Sequence, residues 1–148
     1  MDGVRIWITG AGIVSALGTN KGETWERLLA GERGLDTVDL FDVTGQRAKI
    51  AASVRGVVLP NHHGEWSRTS AFADLAGREA LAEAGVDPRS ARVGLVVGST
   101  TGGMFETEAR LAKLHAEPHT HEGRQALLDM LSHPLTSTGD CLSKAIGP

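Results

Sequence analysis

The chain has 148 residues, of which 41% are hydrophobic and 22% are charged, and its formal net charge is -3. This hydrophobic content is enough for one folded domain with a core and excludes an intrinsically disordered chain. The 15 Lys and Arg residues are spread along the sequence without a basic patch. Nucleic acids and anionic membranes are therefore not expected partners.

The sequence also indicates the cellular compartment. A single cysteine, Cys141, excludes an intramolecular disulfide and favours a reducing environment. No basic segment followed by a long apolar stretch opens the sequence, and no apolar run reaches the roughly 20 residues that a membrane-spanning helix needs. The prediction is a cytoplasmic protein.

The first predicted element is a buried strand at residues 4–9, because this segment is apolar and rich in β-branched side chains. Residues 10–12 (Gly-Ala-Gly) follow directly and predict a tight turn. A helix is predicted next, with its N-cap at Thr19 or Asn20 and its end at Gly31.

The middle of the chain contains the clearest helical pattern. Residues 32–46 are rich in Gly and Asp and predict an irregular connection, whereas residues 48–54 predict a short strand. From Ser67 onward, apolar residues recur at helical spacing until Gly85, which predicts a long helix that ends there.

The C-terminal part repeats the strand-and-helix order. Residues 93–97 predict a second apolar strand, and residues 98–103 predict a glycine-rich turn. Helices are predicted at residues 105–114, 125–131 and 136–148. Alternating strands and helices predict an α/β fold with parallel pairing.

Three segments together resemble the β-ketoacyl-ACP synthase branch of the thiolase-like superfamily. They are residues 4–18 (VRIWITGAGIVSALG), residues 67–85, and residues 93–104 (VGLVVGSTTGGM). Two positions depart from the family pattern: Ala16 stands where many members have proline, and Arg33 where serine is usual. The resemblance covers nearly the whole chain.

This resemblance implies the N-terminal part of a layered αβαβα thiolase-like fold, with residues 1–148 forming an incomplete N-terminal domain. It implies a transferase of fatty-acid or polyketide synthesis that condenses an acyl thioester with malonyl-ACP through decarboxylative Claisen chemistry. The expected partners are acyl carrier protein and an acyl thioester, in a homodimer or a ketosynthase heterodimer. No metal or redox cofactor is expected.

Site residues follow from the same resemblance. The family's nucleophilic cysteine lies beyond a Gly-Pro pair similar to Gly147-Pro148, and its histidines lie further on, so no catalytic residue is expected in this chain. Thr101, Gly102 and Gly103 are candidates for the acyl pocket, with Thr101 where a residue limits the acyl chain. The alternative for these three residues is a strand-to-helix turn that needs a flexible backbone.

Other chemically suggestive residues have ordinary explanations. Cys141 lies on a helical pattern and lacks the small-residue turn that would expose a nucleophile, so a buried structural cysteine is favoured. His115, His119 and His121 could form a metal site if their loop folded back, but Pro118 interrupts the segment. Solvent-exposed loop histidines are the favoured interpretation.

Two further functions compete with a condensing enzyme. The first is a non-catalytic partner subunit that shapes a ketosynthase pocket, as chain-length factors do. The second is a dinucleotide-binding domain, because residues 10–12 imitate the start of a glycine fingerprint. Ser15 occupies the position of the third glycine, which disfavours nucleotide binding.

Overall fold

The computed structural model describes residues 5–57, 66–90, 92–100, 102–130 and 137–147. The elements in this part of the chain are α1 (Lys21–Leu29), β1 (Asp36–Thr37), β2 (Ile50–Ala51), α2 (Arg68–Ala84), α3 (Met104–Ala116), α4 (His121–Met130) and α5 (Ser137–Ile146). No helix among the described residues is long and apolar enough to cross a bilayer.

The elements belong to two compact units. One consists of Met1–Val58 and Leu75–Val86, and the other of Leu59–Asp74 and Asp87–Pro148. Helix α2 therefore contributes its first residues to the second unit and the rest to the first unit.

The helix ends confirm the predictions that rest on capping chemistry. Asn20 caps α1, because its Oδ1 accepts the backbone N–H of Glu23 at 2.9 Å. Ser67, predicted only as the start of the helical pattern, caps α2 in the same way, with its Oγ accepting the N–H of Ser70 at 3.1 Å. Three helices are followed by a glycine with positive φ, namely Gly31, Gly85 and Gly147.

Helices α3 and α4 pack against each other. Helix α3 confirms the helix predicted at residues 105–114. Helix α4 begins at His121, before the predicted start at residue 125, because Thr120 Oγ1 accepts the N–H of Gly123 at 3.0 Å and caps the helix.

The two main strand predictions are wrong for the described residues. Residues 5–9 and 93–97 carry no strand, and the pairing in the described part is the antiparallel pair Asp36–Thr37 with Ile50–Ala51 rather than a parallel one. A strand needs a neighbour to share its backbone hydrogen bonds. Ile8 and Val96 are 92% and 96% exposed, so no other described residue covers these two side chains.

Residues 32–46 and 48–54 also differ in detail from their predictions. β1 lies inside the segment predicted to be irregular, and β2 covers two residues of the predicted short strand. Their register pairs Asp36 with Ala51 and Thr37 with Ile50.

Residues 10–12 (Gly-Ala-Gly) were predicted to form a tight turn, but they carry no turn or bend in the structure. This Gly-Ala-Gly segment lies directly against helix α2 in the first unit. A Cβ atom at Gly10 would overlap the carbonyl oxygen of Ala80, and one at Gly12 would overlap that of Ala76. Glycine is needed at both positions because one backbone meets another there.

Two glutamates of α2 bind the backbone of this segment and the residue that follows it, and we call them the glutamate clamp. Glu83 Oε2 accepts the N–H of Ala11 at 2.8 Å, and Glu79 Oε2 accepts the N–H of Ile13 at 3.0 Å. Glu79 Oε1 accepts the N–H of Lys21 at 2.8 Å, and Glu83 pairs with the Lys21 ammonium. The clamp therefore joins the Gly-Ala-Gly segment, the start of α1 and α2.

Replacing Gly12 with alanine should destabilise the chain by about 1 to 3 kcal/mol, because the new Cβ must displace the α2 backbone. Urea denaturation measures the change in the free energy of unfolding. Gly22→Ala is a matched control in the same unit, since its Cβ would lie at an ordinary 3.4 Å from Asn20 Oδ1. Equal losses of unfolding free energy in both variants would contradict the close approach of Gly12 to α2.

The clamp also predicts a pH dependence. The hydrogen bond from Lys21 and the backbone hydrogen bond from Ala11 lower the pKa of Glu83 from its ordinary value of 4.5. A carboxyl group with a lowered folded-state pKa stabilises the fold above its unfolded pKa and loses that contribution as the pH falls through the folded value.

We therefore expect the thermal midpoint to fall between about pH 6 and about pH 3, and to fall less steeply in Glu83→Gln. Glu26→Gln removes an exposed glutamate of α1 and serves as the control. If Glu83→Gln keeps the wild-type pH slope, the clamp does not contribute as described.

Candidate functional site

The glycine-rich turn before α3 is the candidate site that the sequence indicates. Of its three predicted pocket residues, Gly102 and Gly103 are buried, and Thr101 lies outside the described residues. Gly102 has a φ of +54°, in the left-handed region that favours glycine. Its N–H donates to Ser99 Oγ at 3.2 Å.

Gly103 connects this turn to helix α3. It is the N-cap residue of α3, and its carbonyl oxygen accepts the N–H of Thr107 at 3.0 Å. A glycine has no side chain with which to cap the helix. Gly103 therefore caps α3 through its backbone alone.

The first turn of α2 is hydrogen-bonded to the glycine-rich turn before α3. Thr69 Oγ1 donates to the carbonyl oxygen of Gly102 at 2.9 Å. The backbone N–H of Arg68 donates to Glu106 Oε1 in α3 at 2.7 Å. One helix start thus positions both the turn and the helix that follows it.

A buried group of three hydroxyls, which we call the hydroxyl cluster, lies at the same helix start. Ser67, Ser70 and Thr138 are 1%, 0% and 1% exposed. Ser67 Oγ lies 3.0 Å from Ser70 Oγ, which lies 3.2 Å from Thr138 Oγ1. Since a hydroxyl can both donate and accept, the three groups satisfy one another and connect α2 with α5.

Sequence reasoning did not identify the clamp or the hydroxyl cluster. Ser67 carried a signal, as a capping residue before an apolar helix. Thr69 and Thr138 carried none, because their partners lie far away in the chain, and the bond from Ser70 to Thr138 spans 68 residues. Glu79 and Glu83 look like ordinary surface residues of a helix.

The cysteine and the histidines do not form a reactive site in the described part of the chain. Cys141 lies within α5 and is half-buried, so it is less covered than predicted. His115 and His121 are exposed on α3 and α4 rather than in a loop, and His119 is exposed between these helices. The described residues contain no group of three His, Cys, Asp or Glu that could hold a metal.

Three other histidines are present in the sequence, and the family resemblance gives none of them a catalytic role. His62, His63 and His133 lie outside the described residues. Their predicted lack of a catalytic role therefore stays a prediction.

The clamp argues against a dinucleotide site at residues 10–12. Such a site needs free backbone N–H groups for a pyrophosphate. Here the N–H groups of Ala11 and Ile13 donate to Glu83 and Glu79. Their carboxylates would repel an anionic ligand at this position.

Comparison with known proteins gives a consistent match. The family model for the β-ketoacyl synthase N-terminal domain matches residues 4–138. The chain is 34% identical over 112 residues to 3-oxoacyl-[acyl-carrier-protein] synthase 2 of Coxiella burnetii, covering 70% of this chain and 27% of that protein. It is 30% identical over 120 residues to the tetracenomycin polyketide synthase ketoacyl synthase alpha subunit of Streptomyces glaucescens, covering 74% and 28%.

Solved structures show the same likeness. The ishigamide ketosynthase/chain length factor matches with a TM-score of 0.77 at 21% identity, covering 94% of this chain and 36% of that one. A β-ketoacyl synthase from Burkholderia phymatum STM815 matches with a TM-score of 0.71 at 22% identity and the same coverage. These matches confirm the predicted α/β class and the N-terminal part of a thiolase-like layered fold.

Proposed function

Because the chain belongs to the β-ketoacyl synthase family, we propose that it forms the N-terminal part of a 3-oxoacyl-ACP synthase of fatty-acid or polyketide synthesis. The family match over residues 4–138 is the observation that carries this proposal. The chain spans about a quarter of the length of the curated relatives it matches. Residues 1–148 are accordingly proposed as an incomplete N-terminal domain.

The proposed reaction is a decarboxylative condensation. An acyl group first passes from a carrier thioester to a cysteine thiolate. Malonyl-ACP then loses carbon dioxide, and its carbanion attacks the acyl carbon, with hydrogen-bond donors stabilising the oxyanion. The thiolate leaves, and 3-oxoacyl-ACP is the product. We assign none of these catalytic roles to this chain, and we place the nucleophile and its histidines beyond Pro148.

The proposed contribution of this chain is part of the acyl pocket, formed by Thr101, Gly102 and Gly103. The fixed position of Gly102, whose carbonyl oxygen accepts a hydrogen bond from Thr69 of α2, supports this role. A backbone without Cβ atoms allows an acyl chain to approach closely. Thr101 would then limit the length of that chain.

The proposed partners are acyl carrier protein and a second synthase subunit, which is either a copy of the same protein or a ketosynthase partner. The exposed apolar segments at residues 5–9 and 93–97 favour such partner dependence, because they would otherwise leave apolar surface in contact with water. A cytoplasmic location is proposed with them, since the substrates would be carried by a soluble carrier.

A second candidate is a non-catalytic subunit similar to a chain-length factor. The match to the ishigamide ketosynthase/chain length factor favours it. Such a subunit would shape the pocket of a catalytic ketosynthase without supplying the nucleophile. This second candidate requires a native chain that lacks the family's nucleophilic cysteine and co-purifies with an active ketosynthase.

The main proposal is tested with the polypeptide as translated from its source gene. The reading frame and the intact mass show whether the polypeptide extends past Pro148. If it does, the purified protein should release carbon dioxide from malonyl-ACP and form 3-oxoacyl-ACP when acyl-ACP is supplied. A folded, full-length protein that does neither contradicts the catalytic proposal. Activity that appears only with a separate ketosynthase favours the second candidate.

Thr101→Phe in the active enzyme should shift the products toward shorter acyl chains, because the larger side chain fills part of the pocket. Mass spectrometry of the products measures the distribution. Thr101→Ser, which adds no volume, should leave the distribution unchanged. An unchanged profile in Thr101→Phe would contradict the pocket role of this residue.

A further inference from the structure

We propose that Thr69 is a positioning residue for the acyl-pocket turn and thereby determines acyl-chain specificity. This inference rests on the pocket role proposed for Gly102 and Gly103. Thr69 lies on α2, more than thirty residues before the turn, and does not belong to the pocket segment itself.

The argument begins with the two backbone groups of Gly102, which are both held by hydroxyls. Its N–H donates to Ser99 Oγ at 3.2 Å, and its carbonyl oxygen accepts from Thr69 Oγ1 at 2.9 Å. Ser99 lies in the same turn and would move with it. Thr69 lies on a helix, so its bond ties the turn to a rigid element.

The helix start that carries Thr69 is itself fixed in two further directions. The N–H of Arg68 donates to Glu106 in α3 at 2.7 Å. Ser70 Oγ lies 3.2 Å from Thr138 Oγ1 in α5, within the buried hydroxyl cluster. The position of the Thr69 hydroxyl is therefore fixed, and its hydrogen bond to the Gly102 carbonyl oxygen fixes the position of the turn.

Thr69 is not needed to begin the helix. Ser67 caps α2 by accepting the N–H of Ser70 at 3.1 Å. Loss of the Thr69 hydroxyl therefore leaves the cap and the hydroxyl cluster intact, while the buried Gly102 carbonyl loses its donor. Without this hydrogen bond we expect the turn to occupy a wider range of positions. The length of the acyl pocket should then vary more, and so should the length of the acyl chains that it accepts.

The test uses the active complex that contains this chain, whether as one longer polypeptide or with a catalytic partner. Thr69→Val keeps the shape of the side chain and removes the hydroxyl. The ratio of the two main product chain lengths should change by about fivefold, which corresponds to one net hydrogen bond, while total condensation is largely retained. Thr69→Ser keeps the hydroxyl and should restore the wild-type ratio.

Thr120→Val is a matched control. Its hydroxyl also donates to a backbone carbonyl, that of Glu117, at 3.0 Å, but it lies between α3 and α4. This variant should leave the product ratio unchanged, although it removes the same kind of bond and also the cap that Thr120 supplies to α4. An equal shift in Thr120→Val would show a general loss of stability and overturn the inference.

An unchanged ratio in a folded, active Thr69→Val would also overturn it. If that variant does not fold, Thr69→Ala and Thr69→Ser provide the same comparison, since both lack the methyl group and only serine keeps the hydroxyl. Equal product ratios in these two variants would contradict the proposal. A wild-type complex without any condensation activity would instead refute the proposed function.

Discussion

The first unit depends on the bonding of backbone N–H groups by two carboxylates of helix α2. Glycine at positions 10 and 12 lets this segment approach α2, and that approach brings the N–H groups of Ala11 and Ile13 within reach of Glu83 and Glu79. Charged acceptors form stronger hydrogen bonds than neutral ones. The same glutamates bind Lys21, so the Gly-Ala-Gly segment and the start of α1 are placed together.

Helix α2 uses different chemistry in the second unit. There its first turn presents the hydroxyls of Ser67, Thr69 and Ser70 rather than carboxylates. The difference follows from burial: Ser67 and Ser70 are enclosed, whereas Glu83 is exposed. An unpaired charge would be costly in the enclosed position, but mutually bonded hydroxyls are not. Helix α2 thus binds both glycine-containing segments. It binds residues 10–12 through the exposed carboxylate of Glu83 and the turn before α3 through a hydroxyl.

What the sequence could predict was largely local. The ends of α1 and α2 were predictable because Asn20, Gly31 and Gly85 act on their immediate neighbours. The family resemblance at residues 4–18 and 93–104 correctly indicated the fold. It also marked the glycine turn as the candidate site, although the role of that turn stays a proposal.

What the sequence could not predict depends on distant partners. The strands at residues 4–9 and 93–97 were predicted from their side chains, but strand formation depends on a neighbouring backbone. The bond between Ile13 and Glu79 spans 66 residues, and that between Thr69 and Gly102 spans 33. No periodic pattern in the chain marks such pairs. The Gly-Ala-Gly sequence shows the same limit, since it is compatible with a nucleotide or a helix as its neighbour.

The most direct test of this account is amide hydrogen exchange at Ala11 and Ile13, measured by NMR with and without an added dinucleotide. If Glu83 and Glu79 bind these N–H groups, both amides are protected in the protein alone, and the dinucleotide changes neither rate. Exchange at unprotected rates, or protection that appears only with the dinucleotide, would contradict the account and favour a nucleotide-binding turn.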